Sequence, residues 1–136
     1  MKRILQFSIL YFFGASNIAM PCPDKEDSIV TIETQENLEN LLQNSLGPSI
    51  IMLYMNGCGW CSKMHPIFKI VADQFEQITF YLANGPMLQA SNHIEKYLNH
   101  EIQGYPTILF MKDGKVVDKQ IGGTTQNVII QKLKNL

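Results

Sequence analysis

The pattern of apolar and polar positions divides most of the chain into alternating strands and helices. Runs or alternations rich in β-branched and aromatic residues predict strands at 28–33, 49–55, 78–83, 108–111 and 116–121. Apolar residues that recur every three or four positions predict helices at 35–46, 58–75, 88–100 and 126–136. The predicted order is β-α-β-α-β-α-β-β-α. Because apolar strands between helices need cover on both sides, we predict an α/β fold with a central sheet and helices on both faces.

Local signals mark the ends of these elements. Asp113-Gly114, between the last two strands, favours a hairpin turn of a primed type. Thr34 is a suitable cap for the first helix, whose apolar face is expected to include Leu46. Pro66 lies inside the second helix, where a proline removes a backbone hydrogen bond and is expected to kink the helix.

The first residues differ in pattern from the rest of the chain. Lys2 and Arg3 precede an apolar core and then several small residues, an arrangement typical of a secretory signal peptide. The apolar segment is shorter than the roughly 20 residues that span a bilayer. We therefore predict a cleaved signal peptide at 1–19 and export to the periplasm or another extracytoplasmic compartment. An uncleaved anchor, which would bring the only membrane contact, is the alternative.

The remaining chain is expected to hold a mobile leader at 20–27 and one domain at 28–136. The 136 residues suffice for a single domain, and a net charge of −1 with 46% apolar residues argues against disorder and against a nucleic-acid partner. Three cysteines are too few for a disulfide scaffold. Cys22 is interpreted as a loose tail cysteine, with a mixed disulfide or covalent dimer as the alternative; otherwise we expect a monomer.

The candidate chemistry lies between the second strand and the second helix. Cys58 is predicted at the helix start, where free N–H groups and the helix dipole favour an anion and should lower the pKa of its thiol. Cys61 follows one turn later and can close a disulfide with it. A Cys-x-x-Cys pair beside a β-α-β pattern favours a redox dithiol.

Two other interpretations of this pair remain open. The cysteines could hold a metal together with His65, although structural zinc usually needs four ligands, and Cys22, His93 and His100 are scattered in the sequence. They could also form an inert structural disulfide, although so short a loop constrains the unfolded chain little. His65 is otherwise interpreted as an exposed helix residue, with tuning of Cys61 as the lesser alternative.

Several motifs taken together resemble the thioredoxin family over residues 28–136. They are Cys58-Gly59-Trp60-Cys61, the helix proline Pro66, Tyr105-Pro106-Thr107, Asp113-Gly114 and Gly122. The run from Cys58 to His65 is also similar to the active site of bacterial periplasmic disulfide isomerases. The resemblance implies a thioredoxin fold, with a central mixed sheet and helices on both faces, and thiol–disulfide oxidoreductase activity.

The resemblance also implies roles for individual residues. Cys58 would be the nucleophile and Cys61 the resolving thiol. Gly59, Trp60, Tyr105 and a cis Pro106 would bind the substrate, with Trp60 either facing the substrate or covering the disulfide. The partners implied are protein thiols or disulfides and an unidentified redox partner protein, and neither a cofactor nor a metal is implied.

Two positions depart from the family pattern. Gly57 stands where thioredoxins carry a tryptophan before the first cysteine. Met52 and Leu82 stand where thioredoxins bury an aspartate and pair it with a lysine. The usual proton acceptor for the second cysteine is therefore missing, which puts efficient general reductase activity in doubt. A thioredoxin-fold chaperone or assembly module, with an incidental dithiol, is the rival hypothesis.

Overall fold

The structure is a computed structural model that describes residues 28–89, 95 and 101–136. The predicted signal peptide, the leader with Cys22, and most of the predicted helix at 88–100, with His93 and His100, lie outside the described residues. In the described part, no helix combines the length and apolarity needed to cross a membrane.

The described elements follow the order that the sequence pattern predicts. They are β1 (Ile29–Ile32), α1 (Gln35–Asn44), β2 (Pro48–Tyr54), α2 (Gly59–Gln74), β3 (Thr79–Asn84), α3 (Gly85–Gln89), β4 (Thr107–Lys112), β5 (Lys115–Ile121) and α4 (Gln126–Leu133).

The strands form one mixed sheet with β2 at its centre, in the order β1-β3-β2-β4-β5. β3 runs parallel to both β1 and β2, whereas β4 is antiparallel to β2 and to β5. Leu53 near the end of β2 pairs with Thr107 at the start of β4. The sheet therefore brings the segment before β4 next to the segment after β2, which carries the two cysteines.

Alternate residues of the central strands point to two separate cores. On one face, Ile50 and Phe110 pack with residues of α2 and α4, including Phe68. On the other face, Ile51 and Leu109 pack with residues of α1 and α3. This alternation is the period of two that a strand imposes on its side chains. The predicted sheet with helices on both faces is thus confirmed.

Several local predictions agree with the structure. The Oγ1 of Thr34 accepts a hydrogen bond from the N–H of Asn37 at 3.2 Å, as expected of a helix cap. Asp113 and Gly114 both have positive φ values, 51° and 74°, which fits a primed hairpin turn.

One local prediction needs correction. α1 ends at Asn44, so Leu46 lies beyond the helix and is 90% exposed instead of packed. The following Gly47 has φ +81°, a backbone conformation that redirects the chain into β2. Pro66 lies inside α2, which runs from Gly59 to Gln74, as the sequence predicts, and the expected kink stays a prediction.

Candidate active site

The two cysteines form a disulfide at the start of α2. β2 ends at Tyr54, and the chain turns through Gly57, whose φ of +76° suits a glycine. Cys58 is the N-cap of α2 in an extended conformation, and Cys61 lies in the first turn. Their Cα atoms are 5.2 Å apart, within the usual range for a disulfide. The prediction that the pair lies at the start of a helix is therefore confirmed.

The environments of the two sulfur atoms differ. The Sγ of Cys58 accepts a hydrogen bond from the N–H of Cys61 at 3.1 Å. Cys58 is half-buried, whereas Cys61 is buried at 5% exposure. An N–H donor and the positive end of the helix dipole both stabilise a thiolate at Cys58 after reduction. The arrangement distinguishes an accessible sulfur from a sheltered one.

Tyr105 and Pro106 lie beside the disulfide although they are more than forty residues away in sequence. The Tyr105–Pro106 peptide bond is cis, and the carbonyl oxygen of Tyr105 is 3.8 Å from the Sγ of Cys58. Pro106 is buried, and its carbonyl accepts a hydrogen bond of 2.7 Å from the N–H of Gly122. This bond joins the segment before β4 to the loop after β5 and fixes both next to Cys58.

The side chain of Tyr105 rests on α3. A Cβ atom on Gly85 would collide with the Tyr105 ring, so the glycine provides the space for it. Burial raises the pKa of the Tyr105 hydroxyl, and the carboxylate of Glu95 raises it further. Sequence reasoning did not find Gly85, because no local pattern links it to a tyrosine twenty residues later.

Trp60 is the most exposed aromatic residue near the disulfide, with 61% of its surface accessible. The Nζ of Lys63 lies 4.7 Å from the centre of the indole ring, within cation–π range. A Cβ atom on Gly123 would come within 2.6 Å of the ring, so the indole lies against the loop after β5. The spacing of Lys63 from Trp60 could have indicated this contact, but nothing in the sequence indicated Gly123. Gly59 is exposed, with open space around its Cα.

A cavity of about 330 Å³ opens beside the disulfide. Both cysteines line it, together with Met52 of β2 and Leu82 of β3, which are partners in the sheet register. His65 lines it from α2, one turn after Cys61. The two apolar residues that depart from the family pattern therefore do lie next to the dithiol. His65 is an exposed helix residue, as the sequence predicts, and it also lines this cavity.

The metal interpretation finds no support in this geometry. Among residues 28–89, 95 and 101–136, no three His, Cys, Asp or Glu side chains come together in a way that could hold a metal ion.

Comparison with known proteins gives consistent results. The sequence profile of the thioredoxin family matches residues 29–135. A thioredoxin from Mycoplasmoides gallisepticum is 32% identical over 103 residues, which cover 76% of this chain and 97% of that protein. Protein disulfide isomerase-like 1-4 from Arabidopsis thaliana is 24% identical over 115 residues, which cover 85% of this chain and 18% of that protein. The solved structure of a poplar thioredoxin h matches with a TM-score of 0.67 at 19% identity, covering 80% of this chain and 96% of that one.

The structural match, at its low identity, bears on the fold alone. The family profile spans the sheet, the cysteine pair and the cis-proline segment, and the mycoplasma relative is covered almost over its full length. The predictions of fold and family made from the sequence motifs are therefore confirmed. This chain belongs to the thioredoxin family and is a thiol–disulfide oxidoreductase.

Proposed function

We propose that the chain is an exported oxidoreductase that exchanges disulfides with protein substrates, with Cys58 as nucleophile and Cys61 as resolving thiol. The observation that carries these roles is the asymmetry of the pair. Cys58 has an N–H donor at 3.1 Å and is the more accessible sulfur, whereas Cys61 is buried. Members of the thioredoxin family generally act on protein thiols and disulfides. Export rests on the basic and apolar pattern of residues 1–19.

The reaction proceeds through a mixed disulfide. In the reducing direction, the Cys58 thiolate attacks one sulfur of the substrate disulfide and releases the other as a thiolate. The sulfur of Cys61 then attacks Cys58, its proton is removed, and the second substrate thiolate leaves. The products are the Cys58–Cys61 disulfide and a reduced substrate dithiol. The same steps in reverse oxidise a substrate.

The surface around Cys58 supplies a site for an extended substrate segment. Trp60 offers an exposed apolar face, and Gly59 leaves room for a backbone to approach. The carbonyl of Tyr105, which precedes the cis Pro106, lies 3.8 Å from the Sγ of Cys58. The proposed substrate segment lies across these residues, so that its disulfide reaches the sulfur of Cys58.

The dithiol is proposed to be less oxidising than that of strong periplasmic oxidants. The helix start and one N–H bond stabilise the Cys58 thiolate, but Gly59-Trp60 adds no charge or side-chain hydrogen bond to it. Equilibration with glutathione should give a reduction potential between about −270 and −180 mV, the thioredoxin-like and isomerase-like values.

Selective alkylation of the reduced protein tests the roles of the two thiols. Iodoacetamide at neutral pH should modify Cys58 well before Cys61, as peptide mapping would show. Insulin disulfide reduction should be lost in Cys58→Ser, and Cys61→Ser should accumulate a mixed disulfide. Equal alkylation rates would contradict the roles. Activity retained in Cys58→Ser would favour a binding module with an incidental dithiol.

The test of export is separate. The full chain, expressed in a bacterium, should appear in the periplasmic fraction with a new N-terminus near residue 20. A full-length protein in the cytoplasmic fraction would contradict export without affecting the thiol chemistry.

A further inference from the structure

Among the described residues that line the cavity beside the disulfide, His65 is the only acidic or basic side chain. The described residues that line it include the apolar Met52 and Leu82, and its titratable groups are limited to Tyr54, His65 and the two cysteines. Tyr54 lies at the end of β2, and the residue that β3 contributes to the lining, Leu82, is apolar. In the described part of the chain, the lining of this cavity therefore presents no carboxylate or ammonium group to His65.

The second step of disulfide exchange needs a proton acceptor at this place. A thiol has an ordinary pKa of about 8.5, and apolar burial favours its protonated form. Cys61 is 5% exposed, and Met52 at 1% exposure and Leu82 beside it offer no acceptor. Without a base, the sulfur that attacks Cys58 would be a thiol, which is a poor nucleophile.

His65 has the position and the chemistry to supply that base. It is four residues after Cys61 on α2, so both side chains lie on the same side of the helix, and both line the cavity. Its side chain is exposed, so a proton taken from the cavity can pass to solvent. Among the titratable groups here, histidine is the side chain that ordinarily exchanges a proton near neutral pH.

We propose that His65 removes the Cys61 proton through water in the cavity while the Cys61 sulfur attacks Cys58. The S–H bond of Cys61 breaks, the Cys61–Cys58 bond forms, and the Cys58–substrate bond breaks with release of the substrate thiolate. The proton goes to the imidazole by way of water and then to solvent. A volume of about 330 Å³ holds several waters, since each occupies about 30 Å³ in the liquid.

This proposal rests on the proposed roles of Cys58 and Cys61, and the test separates the two. The reduced protein is mixed with Ellman's reagent in a stopped-flow instrument, with every variant made in a Cys22→Ser background because Cys22 would release a coloured thiolate of its own. Attack by Cys58 releases a first coloured thiolate, and attack by Cys61 on the resulting mixed disulfide releases a second. The first phase reports the nucleophile alone, and the second reports the step assigned to His65.

In His65→Ala, the second phase should slow by roughly 100-fold at neutral pH, the lower end of the range for general base catalysis. The first phase should change by less than about twofold, because the N–H bond to Cys58 and the helix start remain. Added imidazole should restore the second phase.

His65→Gln combined with Gln74→His is the matched control. It keeps the histidine content of α2 but places the imidazole at an exposed position that does not line the cavity. The second phase should remain slow in this double variant.

Three results would overturn the proposal. They are an unchanged second phase in His65→Ala, an equal slowing of both phases, and a slow second phase that imidazole does not restore. A wild-type protein that releases no first equivalent would overturn the proposed function as well as this inference.

Discussion

Met52→Asp places a carboxyl group in the cavity from the sheet side. Met52 is 1% exposed, lies opposite Leu82 in the sheet register and lines the cavity with both cysteines. The thioredoxin pattern has an aspartate at this position, whereas this chain relies, in our proposal, on His65. The substitution therefore tests whether a second proton acceptor adds to the effect of His65 or can replace it.

The substitution should lower stability. Replacing a buried methionine by a smaller side chain costs about 2–5 kcal/mol, and an incompletely solvated carboxyl adds about 1–3 kcal/mol. Because the cavity lets water reach the new group, we expect a total of about 3 kcal/mol against a stability of about 5–15 kcal/mol. Met52→Leu, which keeps the volume, should lose less than about 1.5 kcal/mol. Urea denaturation measures both values.

The loss of stability in Met52→Asp should depend on pH. An apolar environment raises the pKa of a buried carboxyl above its unfolded value. The folded variant then holds the proton more tightly, so its loss of stability is smallest below about pH 3.9 and grows as the pH rises. Met52→Leu provides the comparison, because it introduces no titrating group.

The kinetic result depends on the residue at 65. In the wild-type background, Met52→Asp should speed the second phase with Ellman's reagent by less than about threefold, because a base is already present. In the His65→Ala background, it should recover most of a loss of roughly 100-fold. A tenfold gain in the wild-type background would refute the reasoning, since it would mean that His65 is not an effective base. So would the absence of recovery in a folded double variant.

Three further predictions test other parts of the structure. Reduction of the active-site disulfide should brighten the fluorescence of Trp60, the only tryptophan, because a nearby disulfide quenches an indole. Unchanged fluorescence after complete reduction would mean that the ring lies out of quenching range. Gly47 and Gly114 both have positive φ values, but only a Cβ atom at 114 would come within 2.5 Å of a backbone oxygen, that of Leu42. Gly114→Ala should therefore lower the free energy of unfolding by about 1–3 kcal/mol more than Gly47→Ala does, as urea denaturation would show. Burial raises the pKa of the Tyr81 hydroxyl above its value in the unfolded chain. The stabilisation that follows from this shift is present below pH 10 and is lost as the pH rises further. Tyr81→Phe should therefore flatten the alkaline decline in thermal stability.

The sequence by itself determined the elements and the identity of the chemistry. The periods of two and of three to four set the strands and helices, because apolar side chains must face a core whatever the final arrangement. Asp113-Gly114 set the hairpin through the positive φ values that those residues tolerate. The position of Cys58 just after an apolar strand placed it at a helix start, where its thiolate is stabilised.

Only the tertiary structure decided which distant residues surround the dithiol. The pairing of β2 with β4 brings Tyr105 to within 3.8 Å of Cys58, and the loop after β5 places Gly123 under Trp60. These contacts depend on strand order and register, which local periodicity does not encode. The cavity that Cys61 and His65 both line likewise exists because β2, β3 and α2 leave a space between them. The sequence predicts an exposed His65 but not that it lines this space.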